Sequence, residues 1–300
     1  MPELPEVHTT VTGLQKVLPN LTIKDIWTDM WSTSTIAKNT IKDRSYLPYF
    51  KKYVLGQKIL NVERRAKYIL VNLENGFTMV IHMKMTGHLM YGKWKIESGK
   101  WKPEDKTSPL NDPYNRHIHV VFSLSNSEQL AFCDTRKFGT IVVQKTKTLH
   151  TDKLAHLGPE PLEKFFTLNN FKERIMKSPT RAIKTVLMDQ KIIAGIGNIY
   201  SDEMLHLSHI LPTRLPKNIK EAEWKLLFKS MKEVLKKGID FGGDSMSDYR
   251  NIEGSRGNFQ KKHLVYLRNK EKCFTKGCGG IIVKKKVGGR SAHFCPLCQK

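Results

Sequence analysis

Four of the five cysteines fall within the last 28 residues, as Cys273, Cys278, Cys295 and Cys298. They form two close pairs, C-x4-C and C-x2-C, with sixteen residues between the pairs. Two thiolate pairs satisfy tetrahedral zinc, and a segment this short and polar needs a metal to hold a fold. Residues 281–283 and 292–294 read as two strands around the turn Val287-Gly288-Gly289-Arg290, a ribbon hairpin holding one structural zinc ion. Four cysteines close the coordination shell, so the metal has no open position for catalysis. Cys133 stands alone in Leu130-Ala131-Phe132-Cys133 and reads as a buried, inert thiol.

The other 272 residues must fold without that staple, and 39% hydrophobic content is enough for a core. A chain of 300 residues is about twice the usual length of one domain. Lys and Arg total 51 against 28 Asp and Glu, a net charge of +23. Such an excess favours a polyanionic partner, with salt-dependent binding through counterion release. No apolar run approaches the roughly 18 residues of a membrane span, and MPELPEVHTT lacks the apolar stretch of a signal peptide. A cytoplasmic monomer without membrane association is expected.

Residues 58–144 are patterned mostly as strands. Segments 68–73 and 78–83 flank Asn75-Gly76, a favourable hairpin turn, and β-branched runs follow at 118–124, 129–133 and 140–143. A β-sandwich or barrel is predicted there, preceded by one helix with Val7, Val11, Leu14 and Leu18 on a common face. Residues 92–116, polar and rich in Lys and Pro, read as an inserted loop. After about residue 150 the period becomes helical. A helix is predicted at 181–190, a turn at Ala194-Gly195-Ile196-Gly197-Asn198, and a further helix from Ile199. Another spans 221–237, with Asn218 and Glu221 as its capping box and Lys236 and Lys237 in its last turn before Gly238. The predicted class is therefore α+β multidomain. Residues 1–150 form the β-sandwich domain with its N-terminal helix, 151–260 a helical domain with a two-helix turn motif, and 261–300 the ribbon.

The sharpest chemical feature is Pro2. With Met1 removed it is a secondary amine of pKa about 8, a fraction of which is unprotonated at neutral pH and able to attack an aldehyde-level carbon to form an iminium. Glu3 and Glu6 beside it are candidate proton carriers.

The opening Met1-Pro2-Glu3-Leu4-Pro5-Glu6-Val7 resembles the start of the formamidopyrimidine-DNA glycosylase and endonuclease VIII family. The resemblance recurs in Arg64-Arg65-Ala66-Lys67-Tyr68, His82-Met83-Lys84-Met85-Thr86-Gly87 and Asp134-Thr135-Arg136-Lys137-Phe138-Gly139. It continues in Leu157-Gly158-Pro159-Glu160-Pro161-Leu162, Gly195-Ile196-Gly197-Asn198-Ile199-Tyr200 and the ribbon with Gly289-Arg290-Ser291. Seven ordered motifs thus span nearly the whole chain.

The resemblance implies a bifunctional glycosylase and abasic-site lyase of base excision repair, with an N-terminal sandwich, a helix–two-turn–helix and a zinc ribbon. Its substrate is double-stranded DNA carrying oxidised bases or abasic sites. Pro2 attacks C1′, Glu3 moves protons and Lys67 assists beside the lesion. Met85 and Phe138 wedge the base stack while Arg136 bonds the widowed base. His82 and Lys137 bind DNA, and Lys184, Asn198 and Arg290 hold its phosphates. Residues 242–259 match in position and length the loop that covers an everted purine, which implies 8-oxoguanine and formamidopyrimidines as substrates.

The chain departs from the family pattern at several points. The first zinc pair is C-x4-C where C-x2-C is common, Lys137 replaces a usual arginine, and Asn258 stands where an aromatic is frequent. Segments 27–50 and 92–116 are longer than the family core and carry no assigned role. Two other functions fit parts of the pattern: the same chemistry directed at oxidised pyrimidines, or a DNA-binding zinc-ribbon protein without catalysis. Retention of Pro2, Glu3 and Lys67 favours the enzyme.

Overall fold

The structure, a computed structural model, describes residues 1–246 and 248–300. Its contacts gather the chain into two units. Residues 1–155 with 241–258 form the first, and residues 156–240 with 259–300 form the second. Three sequential segments were expected, and two features explain the difference. The 241–258 stretch folds back onto the N-terminal unit, and the ribbon is bonded into the helical one.

The first unit opens with helix α1 (Leu4–Val17), followed by strand β1 (Ile23–Thr28) and a short helix α2 (Leu47–Val54). Then come β2 (Ile59–Arg65), β3 (Tyr68–Leu73), β4 (Phe77–His82), β5 (Gly87–Gly92), β6 (Trp94–Glu97) and β7 (Lys100–Pro103). Strands β8 (Ile118–Leu124), β9 (Gln129–Asp134) and β10 (Thr140–Lys145) complete it. Among the described residues, two four-stranded antiparallel sheets run β1-β8-β9-β5 and β10-β4-β3-β2. Their inner faces share one core with α1, which brings Val7, Val11 and Leu14 against Val62, Ile69, Leu89, Val120 and Phe132. Pro5 sits in the first turn of α1, where its missing N–H costs nothing, and Gln15 donates to the Val62 carbonyl at 2.8 Å. The Asn75-Gly76 hairpin forms with Tyr68 opposite His82.

Residues 92–116 are not a loop. Strands β6 and β7 pair across Ser98-Gly99, and two single 3-10 turns follow at Pro109–Asn111 and Pro113–Asn115. Trp94, Trp101 and Leu110 from this insert pack with Trp27, Met90, Ile118, Val121, Ala131 and Cys133. That second cluster lies on the outer face of the β1-β8-β9-β5 sheet, so its central strands β8 and β9 are buried on both sides. Double burial explains why β9 reads as a continuous apolar run rather than an alternating one.

The second unit contains α3 (Leu168–Met176), α4 (Ile183–Leu187), α5 (Asn198–Leu207), α6 (Glu221–Asp240) and the ribbon strands β11 (Val283–Val287) and β12 (Arg290–Phe294). Helix α4 is much shorter than the expected 181–190, because Gln190 leaves the helix to organise the turn. Its amide donates to the Met188 and Ile196 carbonyls and accepts from the Gly195 N–H. Helix α6 runs through Gly238 to Asp240 instead of stopping at Lys237. Its start is closed by Glu223, which reaches back to the Lys220 N–H at 2.7 Å, while Asn218 belongs to a preceding 3-10 turn. The expected Asn218–Glu221 box is therefore absent, and the single bond from the Lys220 N–H to Glu223 takes its place. Among the described residues, no helix is long and apolar enough to cross a membrane.

Candidate active site and nucleic-acid interface

Pro2 and Glu3 are buried at the head of α1, and Glu3 occupies its N-cap in extended backbone. The positive end of the helix lies at this point, which disfavours a protonated amine and favours a carboxylate beside it. Glu6 is also buried but is committed elsewhere: one carboxylate oxygen accepts from the Glu3 N–H at 2.7 Å and the other from the Asp244 N–H at 2.7 Å. With both oxygens held by backbone amides, Glu6, expected as a proton carrier, stands here as an anchor between α1 and the 241–258 stretch. Tyr249 completes this anchor by donating to the Glu6 carbonyl at 3.0 Å.

Helix α1 packs on β2 and β3. Their two-residue turn, Ala66-Lys67, carries Ala66 at φ +53° and buries Lys67 almost fully. His82, at the end of the neighbouring β4, accepts the Lys84 N–H on Nδ1 at 2.9 Å. Burial, with Lys84 and Lys67 adding positive charge nearby, pushes its pKa down to about 3. The imidazole is thus neutral at physiological pH. Because Nδ1 is an acceptor, Nε2 carries the proton and is left as a neutral donor.

Met85 and Phe138 stand on two adjacent loop tips, 37% and 48% exposed. Exposed apolar side chains on strained turns suit a wedge better than a core: Lys84 and Lys137 both hold positive φ, at +57° and +53°. The guanidinium of Arg136 lies 4.4 Å above the Phe138 ring. Asp134, fully buried, ties the two tips together. It accepts from the Thr86 hydroxyl, from the Arg136 N–H at 3.3 Å and from the Gly139 N–H at 2.7 Å. The quoted motifs contained Thr86 and Asp134 without a role. An Asp whose i+2 amide is free to bond back is the available signal. Lys137 donates to the Asp29 carbonyl at 3.1 Å, so segment 27–50 steadies this loop. Lys42 does the same at the Lys137 carbonyl, at 3.3 Å.

In the second unit Asn198 is the first residue of α5, at a helix head that suits an anion. Lys184 does not match its expected place on the surface. It is fully buried and bonded to Asp202, so its ammonium has no route to an external phosphate. Asp202 also accepts from the His293 N–H at 2.9 Å, and Glu203 accepts from the N–H groups of Leu264, Val265 and Tyr266 at 2.8–3.0 Å. Two consecutive acids of α5 thereby clamp the ribbon. Arg290 is exposed beside the two-residue turn Gly288-Gly289, where both glycines hold positive φ. A Cβ on Gly288 would lie 2.3 Å from the Thr185 hydroxyl.

The four ribbon cysteines fit a zinc ion. Their sulfurs all lie within 4.8 Å of one another, with Cys273–Cys298 at 3.8 Å and Cys278–Cys295 at 3.5 Å. A tetrahedron of 2.3 Å zinc–sulfur bonds has edges of about 3.8 Å, so the longer C-x4-C knuckle places its donors well. Bound there, the ion supplies cross-linking of the ribbon and no reaction chemistry.

Comparison with known proteins matches three successive families. Residues 1–141 match the formamidopyrimidine-DNA glycosylase N-terminal domain, 157–250 its H2TH domain, and 271–300 the zinc finger found in FPG and IleRS. Formamidopyrimidine-DNA glycosylases of Pelotomaculum thermopropionicum and Rickettsia canadensis are 40% and 37% identical, each over the whole of this chain and 99% of the relative. Among solved structures, Lactococcus lactis Fpg with an abasic site containing DNA superposes with a TM-score of 0.81 at 33% identity, covering 99% of both chains. An Fpg of the same organism with a Fapy-dG containing DNA gives 0.81 and 33% over all of both chains. With such identity over its full length, the chain belongs to the formamidopyrimidine-DNA glycosylase family and is an enzyme of that family.

Proposed function

We propose that this chain excises oxidised purines, chiefly 8-oxoguanine and formamidopyrimidines, from duplex DNA and then cleaves the strand through a Pro2 Schiff base. The observation that carries the reading is the enclosed Pro2-Glu3 pair at the head of α1, on the sheet whose β2–β3 turn holds Lys67. The Lactococcus lactis relatives bound to abasic and Fapy-dG DNA agree with it.

Once Met1 is removed, the Pro2 nitrogen attacks C1′ and the damaged base departs with its bonding pair and a proton. Glu3, next in the chain, passes the proton that opens the sugar ring and leaves the iminium. Loss of a C2′ proton expels the 3′ phosphate, and a second elimination expels the 5′ phosphate. Hydrolysis of the iminium regenerates the amine, and a one-nucleotide gap remains. A base inside the stack is out of reach, so the nucleotide is everted at a cost of a few kcal/mol. Met85, Arg136 and Phe138 fill the space it leaves. The 242–259 loop covers the everted purine; Ser247 in that loop lies outside the described residues. His82 as a neutral donor, Lys67, Lys137, Asn198 and Arg290 engage phosphates, and Lys184 positions the helix pair from within.

Borohydride trapping tests the chemistry. Wild-type protein forms a covalent adduct with 8-oxoguanine duplex, and Pro2→Gly forms none. Absence of an adduct from protein with a processed N-terminus would overturn the proposal. Faster removal of thymine glycol than of 8-oxoguanine would instead redirect it to oxidised pyrimidines.

A further inference from the structure

The 92–116 insert does more than cover a sheet face. Its final stretch meets the returning 241–258 segment, more than 130 residues away in sequence, through three charged or polar side chains. Arg250 is fully buried, with its guanidinium 3.0 Å from Asp112 and 4.6 Å from the centre of the Tyr114 ring. Asn115, 2% exposed, donates to the Pro109 carbonyl and to the Gly254 carbonyl, each at 3.1 Å. Those two donations fix the amide so that its oxygen faces His88 Nε2 at 3.0 Å. Gly254 holds φ +82°, and a Cβ there would lie 2.8 Å from both the Asn115 amide and the Leu110 backbone. The Ile252 carbonyl accepts the Tyr91 N–H at 2.7 Å, so β5 secures the same turn.

The segment is therefore fastened at two places. At its front Asp244 holds to Glu6 on α1, and at its back Tyr249 holds to the Glu6 carbonyl while Arg250 and Gly254 hold to the insert. Met246, 46% exposed, and Asp248 lie between Asp244 and Tyr249. A strap fixed at both ends restricts the residues beside each fastening, whereas loosening one end lets them open locally. The insert supplies a half-buried carboxylate for the buried guanidinium, a cation–π face and an oriented amide. Surface cover alone needs none of them.

We infer that Asp112, Tyr114 and Asn115 are positioning residues for lesion recognition, acting through Arg250 and Gly254 on the span that closes over the everted base. The inference rests on the reading of 242–259 as the base-covering loop. A preformed abasic site has no base to cover, so its cleavage does not call on the strap.

Two variants test this separately: Asp112→Asn, which keeps an acceptor for the Tyr114 N–H but loses the charge, and Asn115→Ala. Each is expected to speed amide exchange at residues 249–254 about tenfold. Single-turnover excision of 8-oxoguanine should fall about tenfold, while cleavage at a preformed abasic site stays within about twofold. The loss should appear in the rate constant more than in duplex affinity. Unchanged exchange at 249–254 would overturn the brace. Faster exchange with both reactions unchanged, or falling in proportion, would overturn its role in lesion recognition. Wild-type protein that cleaves abasic DNA yet leaves 8-oxoguanine untouched would refute the covering-loop reading itself, while exchange in the variants still decides the brace.

Discussion

Asp134 in the first unit and Asp202 in the second are both fully buried carboxylates, yet they organise their surroundings differently. Asp134 gathers neutral donors, a hydroxyl and two backbone N–H groups, and fixes two loop tips against each other. Asp202 faces a buried ammonium and a ribbon-strand amide, and fixes one element onto another. The first unit already has a double-sided sheet and can spend its buried polar groups on aiming Met85, Arg136 and Phe138. The second has a thin ribbon with a small apolar cluster, Val265, Ile282 and Cys295, and uses its buried polar groups to hold together. One carboxylate serves geometry and the other serves integrity.

The largest test of that contrast is loss of the metal. Zinc contributes about 10–16 kcal/mol to small structural sites. Replacing Cys295, the most enclosed of the four ligands, should release the ion and unfold the ribbon. Duplex binding should drop with Arg290 displaced, while the first unit stays folded. Tryptophan fluorescence separates the two, because Trp27, Trp31, Trp94 and Trp101 report on the first unit and Trp224 on the second. Duplex binding that survives zinc loss would remove the ribbon from the interface.

A smaller effect distinguishes the two aspartates directly. Asp202→Asn leaves Lys184 charged and enclosed without its counter-ion, a loss of about 3–5 kcal/mol. Asp134→Asn turns one acceptor toward the Gly139 N–H into a donor, a loss of about 1–3 kcal/mol. Stability measured by denaturant should rank them in that order. Base excision per folded molecule should rank them in reverse, because only Asp134 aims the wedge tips. The same order in both measurements would erase the distinction between aiming and holding.

Much of this arrangement is legible in the sequence wherever the signal is local. Asn75-Gly76 and Gly288-Gly289 specify their turns, the cysteine pairs specify a staple, and the stripe from Val7 to Leu18 specifies α1. The β6–β7 hairpin had a signal too, since Trp94, Ile96 and Trp101 alternate with lysines around Ser98-Gly99. Charge and proline content obscured it. What stayed hidden is long-range: Arg250 reads as a solvated base until Asp112 and Tyr114 enclose it, and Lys184 as a surface lysine until Asp202 does. Glu6 has the composition of a proton carrier and the surroundings of a clamp. Residue type identifies chemistry, and only the fold says whether that chemistry is already engaged.

The smallest effect concerns protons and sharpens the contrast from the side of the first unit. His82 and His88 are both held neutral there. Burial is the main cause for each, and their pKa values fall to about 3 and about 4. In the unfolded chain both titrate near 6.5, so as pH falls below that value the unfolded state takes up protons that the native state refuses. Stability is therefore complete above pH about 6.5 and declines toward pH 4, by about 1.4 kcal/mol per pH unit for each histidine. Denaturant titrations between pH 7.5 and 5, followed by fluorescence of the first unit, should show this slope, and His82→Gln should reduce it by roughly half. The neutral His82 donor also implies that its share of duplex affinity is flat across the same range. Affinity that rises as pH falls and loses that rise in His82→Gln would mean that the imidazole is charged when DNA is bound, reversing the assignment of Nδ1 as an acceptor.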